Sequence, residues 1–331
     1  MNHPRNRVAG ENQAPPFLYA FRLSPGVDLD LPRVLVGLGF LVLAGAMDWR
    51  RRVVKDPVWI AMGAAALALV ELDLLLANAA TPLHLMSAAT AVLYFGVFFG
   101  KPMWDETGFK VRPLRFLLYF AAMVLVVLVW RWSADADTLG WFYRLFTMPA
   151  MIVIAHGLYE FGILRGGADA KAVMALALLS PGIYPTLDPL PLLRPPAIAE
   201  PILAVMFPFA FIVLVNSAIL FLAAPVVLLA GNAARGDAKM PRALFGSRVP
   251  IDAIPKYAWL MDRIEDGKPK FVLMPRRKED REEQVRLLQE HGFDRVWVTP
   301  QLPFVTAMLI GFLLGVVAGN PLLALFGGGG G

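Results

Sequence analysis

Two aspartates could do chemistry that the rest of the chain does not offer. Asp48 closes an apolar run in LVLAGAMDWRRRVVKDP, and Asp169 sits beside two glycines in RGGADAKAVM. Carboxylates near a membrane interior are costly, and function is the usual reason they persist. Two of them a few ångströms apart cannot both ionise easily, so one keeps its proton. The ionised member can take a proton from water while the protonated one polarises a carbonyl. That division of labour suits hydrolysis of a peptide bond. Gly166, Gly167 and Ala168 carry almost no side chain, so backbone and neighbouring helices can come close to the Asp169 carboxylate.

Other polar residues in apolar surroundings read differently. Glu71 and Asp73 are two positions apart on a predicted helix, point in different directions, and are expected to face another helix or the outer leaflet. His156 and Glu160 are spaced i, i+4 and can share one helix face, which predicts a hydrogen-bonded helix contact. Zinc would need further ligands beside them. The four histidines (His3, His84, His156 and His291) are scattered, and there are no cysteines. Disulfides, iron–sulfur clusters and thiolate zinc sites are thereby excluded. Neither a metal nor a cofactor is expected, and nucleic acid is not an expected partner.

These residues are held by a very apolar chain. Of 331 residues 57% are hydrophobic and 17% charged, and the mean hydropathy is +0.58. A soluble chain carries about a quarter charged residues, so a polytopic membrane protein is expected. Apolar runs between charged breaks predict about eight spans, near 31–48, 57–79, 83–100, 115–131, 145–164, 169–181, 201–230 and 303–326. The seventh contains Pro208 and Pro225, which predicts a kink or a break. Residues 1–30 read as a mobile tail without the apolar core of a signal peptide, and 327–331 as a flexible glycine tail.

Between the transmembrane bundle (31–230) and the final span (301–326), residues 231–300 have 14 basic and 11 acidic side chains and no spanning run. KFVLMP and RVWVTP read as strands flanking an amphipathic helix, EDREEQVRLLQEHG, which predicts a small β-α-β element in an α/β domain. The fold class is therefore mainly α, a membrane helix bundle with a small α/β domain inserted before the last span. One set of alternate connections holds 24 lysines and arginines against seven on the other side. The basic set is predicted to be cytoplasmic. It includes the ends of the chain segments that carry Asp48 and Asp169. Measured from the far ends of their helices, these acids lie about 27 and 20 Å along, short of a hydrocarbon core of about 30 Å. Both carboxylates should then lie slightly inside the cytoplasmic interface.

At these residues the chain resembles a known family. AGAMDWRRRVVKDPVW resembles the first aspartate motif of the type IV prepilin peptidases, and GGADAKAVMALAL their second, the GxGD element of membrane aspartyl proteases. The Gly-Gly-Ala-Asp-Ala-Lys form is similar to the archaeal prepilin and preflagellin branch. VWVTPQLPFVTAMLIGFLLGVVAGN resembles the stretch by which archaeal members return to the membrane. The resemblance implies Asp48 and Asp169 as a catalytic pair, supported by Gly166, Gly167, Ala168 and Lys171. It implies an aspartic endopeptidase of the cell membrane that removes the leader of type IV pilin-like or archaellin precursors at the cytoplasmic face. Ala168 departs from a strict GxGD, and the helices between the two aspartates exceed a compact six-helix plan. With neither cysteine nor a glycine-rich nucleotide loop, peptidase activity alone is expected. The alternative from a different class is an ion-coupled transporter using Glu71, Asp73 and Glu160.

Overall fold

The computed structural model describes residues 28–99, 104–105, 108–109, 113–164, 166–193, 199–273 and 281–321. Nearly all of the predicted N-terminal tail, Arg165 and the glycine tail lie outside these residues. The helices are α1 (Asp30–Arg51), α2 (Asp56–Leu76), α3 (Thr81–Gly96), α4 (Pro113–Trp132), α5 (Ala136–Glu160), α6 (Gly167–Leu179), α7 (Glu200–Met206) and α8 (Phe209–Ala234). A short α9 (Arg242–Phe245), α10 (Arg281–Glu290) and α11 (Phe304–Val317) complete them. Among the described residues, four helices are long and apolar enough to cross a membrane: α1, α2, α5 and α8. Shorter apolar helices at Phe116–Trp132 and Phe304–Val317 accompany them. At 13 residues α6 measures about 20 Å and does not span by itself.

Local chemistry explains where several helices begin and end. Asp30 lies in the first turn of α1 and Arg50 and Arg51 in its last, matching the helix dipole. Pro57 and Pro82 occupy the first turns of α2 and α3, where a missing N–H costs nothing. The fifth helix starts at Ala136, nine residues before the expected 145, because Asp135 caps it by accepting the Thr138 N–H at 2.8 Å. The expected seventh span divides at Pro208, which caps α8, whereas Pro225 is accommodated inside that helix.

The centre of the bundle is α6. Ala172 through Leu179 are all buried, so the helix is enclosed on every side rather than along one stripe. It touches α1, α2, α5, α8 and α11. Lipid tails are as apolar as leucine, so close approach rather than water exclusion must hold such helices together. Two glycines permit that approach. A Cβ at Gly311 would lie 2.4 Å from Ser217 Oγ, which lets α11 press against α8, where Asn216 donates to the Gly311 carbonyl at 3.2 Å. A Cβ at Gly37 would lie 2.7 Å from Leu179 and 2.8 Å from Phe312, so α1, α6 and α11 meet there.

Before α4, β1 (Trp104–Asp105) pairs with β2 (Gly108–Phe109) in a short antiparallel hairpin. Outside the bundle, β3 (Ser247–Pro250), β4 (Ala258–Leu260) and β7 (Arg295–Pro300) form an antiparallel sheet in the order β3-β7-β4. Val249 faces Val296 and Leu260 faces Val298 across it. β5 (Asp262–Glu265) and β6 (Lys268–Phe271) form a separate hairpin. The expected β-α-β unit is corrected here. The helix and the second strand are found. The first expected strand is reduced to β6, which shares only Lys270 and Phe271 with KFVLMP, and Met274 and Pro275 lie outside the described residues. Moreover, β6 pairs with β5, and β7 is the middle strand of an antiparallel sheet. Leu288 of α10 completes a small core with Ala258, Leu260, Ile264, Val296 and Val298.

Candidate active site

Asp48 lies in the last turn of α1 and is 9% exposed. Its Oδ2 accepts the backbone N–H of Val305, in the first turn of α11, at 3.0 Å. Thr306 Oγ1 donates to the Gly45 carbonyl at 3.2 Å one turn earlier on α1. The unsatisfied N–H groups at a helix start are a natural partner for an anion. Asp48 therefore caps a helix that begins more than 250 residues later in the chain.

Asp169 has the same kind of partner, supplied locally. It is half-buried at the third position of α6, and its Oδ2 accepts the Gly166 N–H at 3.1 Å. The carboxylate folds back so closely that a Cβ at residue 166 would lie 2.2 Å from Oδ2. Residue 166 is glycine for that reason. A Cβ at Gly167 would make only ordinary contact with the Tyr159 ring at 3.7 Å, and Ala168 packs against the bundle core.

Helix directions set the two acids at one level. The short loop 52–55 joins α1 to an antiparallel α2. Lys171 Nζ, near the start of α6, pairs with Asp56 Oδ1 at the start of α2 at 2.5 Å, so α2 and α6 run the same way. Hence α1 opposes α6. From their meeting point at Gly37 and Leu179, α1 rises about 16 Å to Asp48 and α6 about 15 Å to Asp169, both toward the same end. Lys171 also lies 5.2 Å from the centre of the Phe98 ring. Its pairing fastens the second motif to the loop that follows the first.

The β-sheet domain docks beside Asp48. Tyr257 Oη donates to the Arg50 carbonyl at 3.0 Å. Arg52 lies between the rings of Trp49 and Tyr257, at 5.8 and 5.5 Å from their centres. Sequence reasoning identified neither Val305 nor Tyr257. A backbone N–H has no residue-type signature, and Tyr257 is separated from its partner by a whole membrane bundle.

Glu71 and Asp73 sit at the opposite end of the bundle, whereas His156 and Glu160 lie in the last turns of α5, where Tyr159 packs beside Gly167 of the second motif. Asp73 Oδ2 is paired with both Arg33 at 2.8 Å and Arg144 at 2.7 Å, so it faces other helices as expected. Glu71 Oε2 lies 2.7 Å from His84 Nδ1. His156 Nε2 and Glu160 Oε1 are 3.5 Å apart on α5. Among the described residues, no group of three His, Asp or Glu side chains converges in a way that could hold a metal ion.

Comparison with known proteins bears on the part of the chain that touches Asp48. Residues 238–320 match the family model described as the archaeal peptidase A24 C-terminus, type II. That segment comprises the sheet domain and α11, including Tyr257 and Val305. Over 296 residues the chain is 21% identical to an uncharacterised protein of Methanocaldococcus jannaschii, covering 87% of this chain and 93% of that protein. The matched C-terminal segment supports a peptidase of the prepilin-processing family, and the four long apolar helices support a membrane protein. Asp48 and Asp169 both lie outside the matched segment.

Proposed function

We propose that this protein is an integral-membrane aspartyl endopeptidase of the archaeal prepilin-peptidase type. Asp48 and Asp169 form its catalytic pair. It removes the leader from type IV pilin-like or archaellin precursors at the cytoplasmic face of the cell membrane. The observation that carries this reading is the common setting of the two acids. Each carboxylate sits at a helix N-terminus, both lie at one level of the bundle, and the family-matched segment itself supplies the donor to Asp48.

In this mechanism one carboxylate is ionised and accepts a proton as water attacks the scissile carbonyl carbon. The other is protonated and donates to the carbonyl oxygen. Collapse of the tetrahedral intermediate breaks the C–N bond, and a proton passes to the departing amine. The N–H groups of Gly166 and Val305 hold the two carboxyl groups in position, and the one bound to the ionised member stabilises its negative charge. Of the three acids that the transporter alternative would use, Asp73 is engaged by the guanidinium groups of Arg33 and Arg144 and so has a structural partner on each of two other helices.

The reading is tested by co-expressing Asp48→Asn and Asp169→Asn variants with an epitope-tagged precursor. Both variants are expected to accumulate in the membrane at wild-type level and to leave the leader attached. Leader removal at the normal rate by either one overturns the assignment.

A further inference from the structure

The end of the bundle away from the two acids contains a buried charge network that leader cleavage does not use. Arg33, in the first turn of α1, and Arg144, in the third turn of α5, both donate to Asp73 Oδ2 in the last turn of α2. The two arginine side chains are 2% and 7% exposed. Arg144 Nε donates to the carbonyl of Pro181, two residues beyond the end of α6, at 3.2 Å. Gly182, with φ +57, presses so closely on α5 that a Cβ there would lie 2.8 Å from Arg144 Cα. A further tie joins the start of α1 to the segment after α6, since Asp30 Oδ2 accepts the Thr186 N–H at 2.8 Å.

Such a network is an expensive way to hold helices together. Buried ion pairs gain little over apolar packing of similar volume, and Arg33 Nε is buried without a partner. What the network adds over apolar contact is directionality. Apolar surfaces tolerate a slide along the helix axis, whereas an Arg–Asp–Arg bridge ending on one backbone carbonyl does not. Its two ends grip the two helices that carry the acids: Arg33 is on α1 with Asp48, and Pro181 directly follows α6 with Asp169. Helices transmit an axial shift along their length. A slide of one residue at this end would displace a carboxylate about 22 Å away on α1, or about 18 Å away on α6, by about 1.5 Å.

We infer that Arg33, Asp73 and Arg144 are positioning residues that set the axial register of α1 against α6, and thereby the mutual level of Asp48 and Asp169. This rests on the proposed peptidase reading for its consequence in catalysis, though not for its structural content. A misplacement of about 1 Å costs on the order of a hundredfold in rate when reacting groups must align.

The test uses Asp73→Asn, which keeps the side-chain shape, and the apolar triple variant Arg33→Met, Asp73→Leu, Arg144→Met, which leaves no unpaired charge. Each full-length protein is reconstituted in lipid vesicles, and kcat and KM are measured on a synthetic precursor. Because the chain has no cysteine, Arg51→Cys with Gly167→Cys gives two unique spin-label positions beside the acids for a distance distribution. The expected result for the triple variant is a folded protein with a shifted or broadened distribution. Its kcat falls at least about tenfold, with KM within about twofold. Restoring aspartate at 73 with both arginines returns both readouts. If either variant keeps the wild-type distribution and kcat, the inference fails. A triple variant that does not fold also overturns it, because the network is then needed for stability rather than register. A changed distribution in an enzyme whose cleavage does not depend on Asp48 contradicts the peptidase reading and leaves the register role standing.

Discussion

The Asp48 carboxylate accepts the backbone N–H of Val305, so the helix that follows the sheet domain starts on an acid from the first helix of the bundle. This bond links the family-matched segment to the remainder of the chain and gives the inserted domain a physical role. The domain's strand β7 leads directly into α11, and Tyr257 holds the end of α1 from the same side. Removing the donor at residue 305 is therefore expected to disturb Asp48 itself. Proline is tolerated in a first helical turn, so Val305→Pro deletes the N–H while leaving α11 able to form. Precursor processing by this variant should fall at least about tenfold, while Val305→Ala, which keeps the N–H, should lose stability through its buried side chain by about 1 kcal/mol. Equal processing by the two variants would show that the bond is dispensable.

The two glycines of the second motif are not equivalent. Gly166→Ala brings a Cβ to 2.2 Å from the Asp169 carboxylate and must push it off the Gly166 N–H. Gly167→Ala meets only an ordinary contact at 3.7 Å. The first substitution should abolish leader cleavage, and the second should leave it within about twofold of wild type. Pulse-labelled processing of a tagged precursor distinguishes them, and equal losses would contradict the described conformation of Asp169.

Lys171 has a partner in Asp56, across the loop that follows Asp48. The aspartate is half exposed, so the pair should contribute no more than about 1 kcal/mol. Lys171→Met should reduce cleavage less than Asp169→Asn does. The exchanged pair Lys171→Asp with Asp56→Lys should recover part of the loss. If the exchange is worse than either single change, the role of Lys171 lies elsewhere.

In the sheet domain, burial raises the Asp262 carboxyl above its ordinary value, against the lowering effects of the Trp297 N–H and of Arg242 and Arg248. The folded chain then holds this proton more tightly than the unfolded chain does. The corresponding stability is fully present below the unfolded value and is lost as pH rises through the folded one. Asp262→Asn has no such proton. Its thermal stability, followed by tryptophan fluorescence, should depend less on pH across the mildly acidic range. Parallel curves for the two proteins would contradict this.

How much could be read in advance depended on whether a residue's partner was local. The common level of Asp48 and Asp169 followed from charge counting and helix length, because both are one-dimensional properties of the chain. The enclosed α6 has no apolar stripe, so its central position left no periodic trace, and its brevity made it resemble a weak span. The early start of α5 was hidden by Arg144, which looks like a helix-ending charge until Asp73, 71 residues earlier, neutralises it. β3 and β4 are four and three residues long, too short for alternation to register. With those two strands unseen, β6 and β7 looked like partners, when β7 belongs between the other two.

The central claim is that Asp48 and Asp169 act as one unit on one water molecule. It is tested most directly by cleavage kinetics of the purified enzyme in lipid vesicles, with Asp48→Asn, Asp169→Asn and the double variant compared under single turnover. Groups that act together are strongly non-additive when removed. Each single variant should lose at least about a thousandfold in rate, and the double variant should lose no more than the worse single one. A single variant with wild-type rate, or two losses that multiply in the double variant, would contradict the account.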